Sequence, residues 1–339
     1  MRTLHALNVN EAYTVGLRML LESGDVRPSR AGECLTYPDP VSTVYLHSDQ
    51  RVLFDEKRNA NPFFHFMEGL WMLAGRNDVK WIERYNSKFG QFSDDGKKFW
   101  GAYGHRWRHW FDYDQIDVII GILKRDPNSR RCVLAMWDGN SDLLANKIDT
   151  PCNTTIFFRI RHRDMRHEQR IELDMTVCCR SNDIIWGAYG ANAVHMSMLH
   201  EYVASMVGVP LGTYTQISND YHAYTAILAT VGTPQPAPRN PYDIGQCKPY
   251  PMVHNPESWY RDLLEWMTGS VGWSADNPFF FEVATPMRLA WNQVKEKNLG
   301  GALSMAADIR ATDWRLACEE WIKRRAKNAA DKQHRRPKV

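Results

Sequence analysis

Four short segments in the middle of the chain carry side chains that could attack, hold and read one small anionic ring compound. They are Pro151-Cys152-Asn153-Thr154-Thr155, Arg180-Ser181-Asn182-Asp183, the stretch from Gly187 to Asn192, and Asp220-Tyr221-His222-Ala223-Tyr224. A thiolate is the strongest nucleophile a protein carries, and nearby arginines lower a thiol pKa, so Cys152 is a candidate nucleophile. An inert buried thiol is the alternative. Arg130-Arg131 and Arg180-Ser181 offer forked donors and a hydroxyl suited to phosphate, or plain surface salt bridges. Asn192 sets one donor beside one acceptor, which pairs with uracil or, flipped, with cytosine; the alternative is a helix N-cap. His222 and Tyr224 share one side if their segment is extended.

Glu68 is the odd residue of its segment, surrounded by Phe63, Phe64, Phe66, Met67, Leu70, Trp71 and Leu73. A carboxylate there must be paired or capping, or it stays protonated, and a raised pKa suits proton exchange with a ring oxygen.

The elements that must hold these groups follow from periodicity and punctuation. Residues 9–24 read as an amphipathic helix, 62–75 as a helix apolar nearly all round, and 115–124 as a helix. Cys132 to Trp137, Thr155 to Arg161, Ile171 to Val177 and Tyr214 to Ser218 read as strands, with the charged stretch Arg161 to Arg170 as a hairpin tip. Ala193 to Val207 is a long apolar helix preceded by a Gly187–Asn192 loop, and a helix opens at Asp220. Helices are also expected over 259–267 and 312–327. Strands and long helices without regular alternation argue an α+β fold. A Pro-rich break over 232–251 divides a catalytic core, 1–232, from a partly helical extension, 233–339.

The 339 residues carry 42 basic and 39 acidic side chains, a net charge of +3, too small for a nucleic-acid surface over the whole protein. Basic residues do gather at Lys323-Arg324-Arg325 and Arg335-Arg336-Pro337-Lys338, as a solvated tail or a nucleic-acid tether. Seven cysteines without a CxxC indicate neither a zinc site nor a dithiol redox site. No apolar run reaches membrane-span length, and the first residues lack the apolar core of a signal peptide, so a cytoplasmic protein is expected.

Five motifs in one order resemble the thymidylate synthase superfamily: Glu68-Gly69-Leu70-Trp71; Asp126-Pro127-Asn128-Ser129-Arg130-Arg131 followed by Ala135-Met136-Trp137; Pro151-Cys152; Arg180 through Gly187; and Asp220 through Tyr224. The resemblance runs from about residue 10 to about 230 and is nearer the branch that hydroxymethylates deoxypyrimidine nucleotides. It implies a large twisted mixed sheet with flanking helices and a sheet-to-sheet homodimer. It implies that Cys152 adds to C6 of a pyrimidine, that Glu68 exchanges a proton at the base, and that Tyr103 and Asp220 join the catalytic group. Arg30, Arg180 and Ser181 resemble the phosphate grip, and Arg130 and Arg131 the arginines that reach a partner subunit's phosphate. Asn192 matches the base-reading asparagine after one extra residue. His222 and Tyr224 resemble the holders of the 3′-hydroxyl, and Asp183, with Trp186 and Gly187, a site for 5,10-methylenetetrahydrofolate. No metal is implied.

Three departures bear on the product. Asn153 stands where synthases have histidine. Trp81, Phe89 and Phe92 do not clearly reproduce a tryptophan pair, and the synthases' short apolar closing C-terminus is not recognisable. Each change could admit water. The expected reaction is folate-dependent 5-hydroxymethylation of a deoxypyrimidine monophosphate, with dCMP slightly ahead of dUMP. The alternatives are a divergent thymidylate synthase and, remotely, a non-catalytic nucleotide sensor.

Overall fold

The computed structural model describes residues 1–165, 168–234, 240–269 and 276–334. It holds β1 (Arg2–Ala6), α1 (Val9–Ser23), β2 (Asp25–Ser29), β3 (Gly32–Thr36), β4 (Val41–Tyr45), α2 (Pro62–Leu73), α3 (Val79–Ile82), α4 (Tyr103–Arg108), α5 (Gln115–Arg125), β5 (Val133–Ala135), α6 (Gly139–Asp142), β6 (Asn153–Met165), β7 (Glu168–Cys179), β8 (Asn182–Asp183), α7 (Asn192–Val207), β9 (Leu211–Ser218), β10 (Tyr221–Tyr224) and α8 (Thr225–Val231). A π-helical segment, Ile184–Ala191, leads directly into α7. After the Pro-rich stretch come α9 (Trp259–Thr268), α10 (Thr285–Lys295), α11 (Leu299–Ala307) and α12 (Thr312–His334).

The chain forms two compact units, Met1–Arg51 with His65–Pro238, and Val52–Phe64 with Arg239–Val339. The second therefore draws on residues 52–64 as well as on those after the Pro-rich stretch, where the sequence suggested only the latter. It is helical, with Trp259, Trp266, Phe280 and Trp321 fully buried. The buried Asp262 carboxylate accepts from the backbone N–H groups of Asp276 and Asn277, and so pins the chain that follows α9. Arg335, Arg336 and Lys338 of the basic tail lie outside the described residues.

The first unit is mixed α and β, and its strands form two sheets rather than one. The larger has the order β1-β4-β9-β7-β6-β5 and the smaller β2-β3-β10-β8. In the larger, β1–β4 and β7–β9 are parallel and the other pairs antiparallel. The β6–β7 ladder runs on into the charged stretch read as a hairpin tip, as far as the Met165–Glu168 pair. Cross-strand pairs hold it: Arg161 with Asp174 at 2.9 Å, and Arg163 with Glu172 at 3.2 Å and Asp174 at 3.0 Å.

Helix α7 is buried from Asn192 to Ala204, as an apolar-all-round helix must be. Two glycines set close approaches. A Cβ on Gly69, next to Glu68, would run into Met198 of α7. A Cβ on Gly104 would strike the backbone carbonyl of Met72 in α2. Because that neighbour is backbone, Gly104→Ala must push α4 away and carry Tyr103 with it. We expect it to destabilise the protein by about 1–3 kcal/mol in a denaturant titration, and an unchanged midpoint would refute the tight α2–α4 approach.

Candidate active site

Cys152 lies at the mouth of β6, half-buried. Its backbone is fixed by the 2.9 Å hydrogen bond from Arg180 N–H to the Cys152 carbonyl. The Arg180 side chain turns back over the same turn. Its Nε donates to the Pro151 carbonyl at 2.8 Å and its Nη2 to that of Thr150 at 3.1 Å, and Nη2 lies 3.9 Å from the Cys152 sulfur. Burial pushes the Cys152 thiol up, Asp149 adds to that, and the Arg180 and Arg30 guanidiniums pull it down. Two arginines and a thiol thus share one field, although Arg30 sits on the exposed β2–β3 turn. Tyr103 belongs to the group as well. Burial first, then Cys152 and Cys179, hold its hydroxyl well above the usual phenol range, while the Asn153 backbone N–H faces it.

Beneath the thiol runs a chain of buried amides. Asn153 Nδ2 donates to Asn192 Oδ1 at 3.1 Å, Asn192 Nδ2 to Asn182 Oδ1 at 3.1 Å, and Asn182 Nδ2 to Ser218 Oγ at 2.9 Å. At the other end the Cys179 thiol donates to Asn153 Oδ1. Asn192 is not an N-cap, because the backbone is already helical at Ala191 (φ −59°, ψ −50°). The stretch expected to be a loop is the π-helical segment, which absorbs an extra residue within a continuous helix and leaves the Asn192 amide free to turn inward. Gly187 is required there, since a Cβ would stand 2.7 Å from Asn182 Oδ1.

Glu68 is buried on α2, its Oε2 3.2 Å from Nε2 of His195 on α7. The alignment is not that of a hydrogen bond, and among the described residues neither this oxygen nor either His195 ring nitrogen has a hydrogen-bond partner. Buried polar atoms left so are costly and point to a group that completes them. His195 lies three residues after Asn192, on the same face of α7, which links this pair to the amide chain.

On the second sheet, β10 is a strand where a helix was expected, so His222 and Tyr224 share one face, their rings 5.7 Å apart. His222 pairs in register with Asp183 of β8. Tyr224 is raised by burial and by Asp183, with Arg30 opposing, which ties this group to the thiol through Arg30. Asp183 accepts from the backbone N–H groups of Ile185 at 2.7 Å and Trp186 at 2.6 Å, and the Trp186 ring is half exposed beside it. Ser181 is half-buried next to Arg180.

Not every expected residue joins the thiol. Asp220 is half exposed and faces His222 Nδ1 at 3.3 Å, and no contact among the described residues ties it to Cys152. Arg130 and Arg131 are exposed beyond α5 and likewise unconnected to the thiol among the described residues. There, too, no cluster of His, Cys, Asp and Glu could hold a metal, and no helix is long and apolar enough to cross a membrane.

Sequence reasoning missed Asp149. Burial pushes its carboxyl up to about 6, against the Gly101 N–H that donates to Oδ2 at 2.8 Å; Asp94 and Asp142 add to the rise and Arg106 opposes it. An acid whose folded pKa lies above its unfolded value of 3.8 holds an extra proton in the folded state between the two. Stability therefore falls as pH rises from about 4 to about 6 and stays lower above. Asp149→Asn should add on the order of 1–3 kcal/mol at pH 7 and nothing near pH 4 in paired denaturant titrations. It should also speed alkylation of Cys152 at neutral pH, because a charge that raises the thiol pKa is gone. Slower alkylation would identify Asp149 as the base of the thiol instead.

With this geometry in view, the comparisons with known proteins decide the family. The family model described as thymidylate synthase matches residues 11–246. The chain belongs to the thymidylate synthase family. It is a one-carbon transferase of that family. It is 44% identical over 342 residues, 96% of this chain and 95% of the other, to a protein of Pseudomonas phage M6 named deoxyuridylate hydroxymethyltransferase. It is 35% identical over 235 residues, 66% of this chain and 59% of the other, to a protein of the same name from Bacillus phage SP01.

Proposed function

We propose that this enzyme hydroxymethylates C5 of deoxyuridine monophosphate through a covalent Cys152–C6 adduct. The observation that carries the choice of base is the order of the Asn192 amide. Its Oδ1 receives from Asn153 and its Nδ2 gives to Asn182, which leaves one lone pair on Oδ1 and one hydrogen on Nδ2. That pair of groups accepts from uracil N3–H and donates to O4. Cytosine presents the opposite order at N3 and N4. The amide thus favours uracil, where the sequence put cytosine slightly ahead. Similarity along nearly the whole chain to a phage protein named deoxyuridylate hydroxymethyltransferase supports both base and product.

Arg180, Arg30 and Ser181 hold the phosphate, and His222 and Tyr224 the 3′-hydroxyl. The Cys152 thiolate adds to C6 and makes C5 nucleophilic. Glu68, backed by His195, gives a proton to O4 as charge builds there and takes it back when the ring is restored. The exposed Trp186 ring and the Asp183 carboxylate fit a flat, hydrogen-bonding pterin and would hold 5,10-methylenetetrahydrofolate, which supplies the one-carbon unit when bound. Asn153, in place of a bulkier imidazole, leaves room for the water that makes the product hydroxymethyl rather than methyl. Arg130 and Arg131, exposed and apart from the thiol in their own chain, reach the phosphate of a partner subunit's site in a homodimer.

Mass spectrometry of the products from dUMP, dCMP and CMP with methylenetetrahydrofolate tests this reading. A gain of about 30 daltons on dUMP is expected. A gain of about 14 daltons with dihydrofolate released would make the enzyme a thymidylate synthase, and preferred turnover of dCMP would overturn the choice of base.

A further inference from the structure

We propose that Cys179 is a specificity-determining residue, because its thiol hydrogen fixes the direction of the buried amide chain and with it the order in which Asn192 meets the pyrimidine. The inference rests on the uracil reading and goes one step behind it.

Each carboxamide in the chain is a donor at one end and an acceptor at the other, so the three amides of Asn153, Asn192 and Asn182 flip together or not at all. Forward and reversed chains have the same number of internal hydrogen bonds. Only the end groups tell them apart. One end is Ser218 Oγ, which accepts or donates with equal ease and is indifferent. The other is Cys179, whose thiol is a donor and only a feeble acceptor of an amide N–H. Burial holds that thiol well above its ordinary pKa, so the hydrogen stays on sulfur. The buried Gln216 amide faces the same sulfur in the sense that favours the thiolate, an N–H turned toward sulfur, and so leaves the thiol hydrogen to Asn153.

The strands enforce the arrangement. Cys179 is the register partner of Asn153 across β6–β7 and of Ser218 across β7–β9, so both ends of the chain stand on one rung of the sheet and face the same side. Cys179, Asn153, Asn182, Asn192 and Ser218 are all buried, which leaves no bulk water to satisfy a reversed chain. A thiol pointing at Asn153 Oδ1 therefore sends Asn153 Nδ2 to Asn192, fixes Asn192 Oδ1 as an acceptor, and matches the site to an N3–H base.

The test compares dUMP with dCMP in the full-length enzyme, as the ratio of kcat/KM values and as the ratio of dissociation constants by calorimetry. Binding keeps selectivity readable where turnover is lost. Cys179→Ser puts at this end a hydroxyl that donates and accepts as readily as that of Ser218, so the direction is no longer fixed and the ratio should fall about threefold or more. Cys179→Val removes the donor at similar volume, and the ratio should fall about tenfold or more. Ser218→Ala, at the indifferent end, should keep the ratio and gives a readout if the valine variant does not fold. A valine or serine variant with the wild-type ratio, or a loss of selectivity in the Ser218→Ala variant, would overturn the role of Cys179 while the uracil reading stands. A wild-type enzyme that itself prefers dCMP overturns both, and does so before any variant is made.

Discussion

Cys152→Ser should lower turnover at least about 10⁴-fold while the nucleotide dissociation constant moves by no more than about threefold. The alcohol is a far weaker nucleophile than the thiolate, and Arg180, 3.9 Å from the sulfur, stabilises an anion that a thiol forms far more readily than an alcohol does. The backbone of the turn is held by hydrogen bonds to the carbonyls of Thr150, Pro151 and Cys152, none of which involves the thiol, so the phosphate grip should survive. Release of tritium from [5-³H]dUMP is the sharper measurement. It reports loss of the C5 hydrogen, which follows only when addition at C6 has let C5 take an electrophile, and which is the same whether the product is methyl or hydroxymethyl. The neighbouring Cys179 cannot substitute, since its hydrogen is committed to Asn153 and it is buried. A serine variant that still releases tritium at the wild-type rate would remove Cys152 from the chemistry. A wild-type protein that binds nucleotide and never releases tritium would be a sensor.

The sequence made some of this legible and hid the rest for physical reasons. Helices α2 and α7 are readable because an unbroken apolar run of helical length has few other fates, and Glu68 stands out against its run. His195 carries the same signal, a polar residue in an apolar helix, and could have been found by it. So could Cys179, which takes its place in the alternation of buried residues Leu173, Met175, Val177 and Cys179 along β7. Asp149 is different. Nothing local separates it from a surface aspartate, and its burial depends on Gly101, far away in sequence. The strands β1 to β4 were invisible for a related reason. They are short, and β1 is paired with β4 and β4 with β9, contacts that no local pattern encodes. The helix expected at Asp220 failed because His222 to Tyr224 pairs with β3, a segment that precedes it by nearly the whole first unit.

Glu68→Gln should lower kcat about 10²–10⁴-fold with the KM for dUMP little changed. The amide has the volume of the acid and keeps an oxygen and a hydrogen-bond donor at the same positions. What it loses is the ability to give up a proton and recover it within one turnover. The position of Glu68 suits that task. Its Oε2 is sealed among apolar side chains with His195 Nε2 3.2 Å away, so a proton passed between carboxylate, imidazole and ring oxygen is not diluted into solvent. A thermal melt run beside the kinetics separates this role from a structural one. Were the contact an ion pair that only braces α2 against α7, the neutral amide would strand a buried imidazolium and cost about 3–5 kcal/mol, leaving the chemistry of the molecules that do fold untouched. A proton carrier predicts the reverse, because a neutral amide is cheaper to bury than a carboxylate: an undiminished Tm and a crippled kcat.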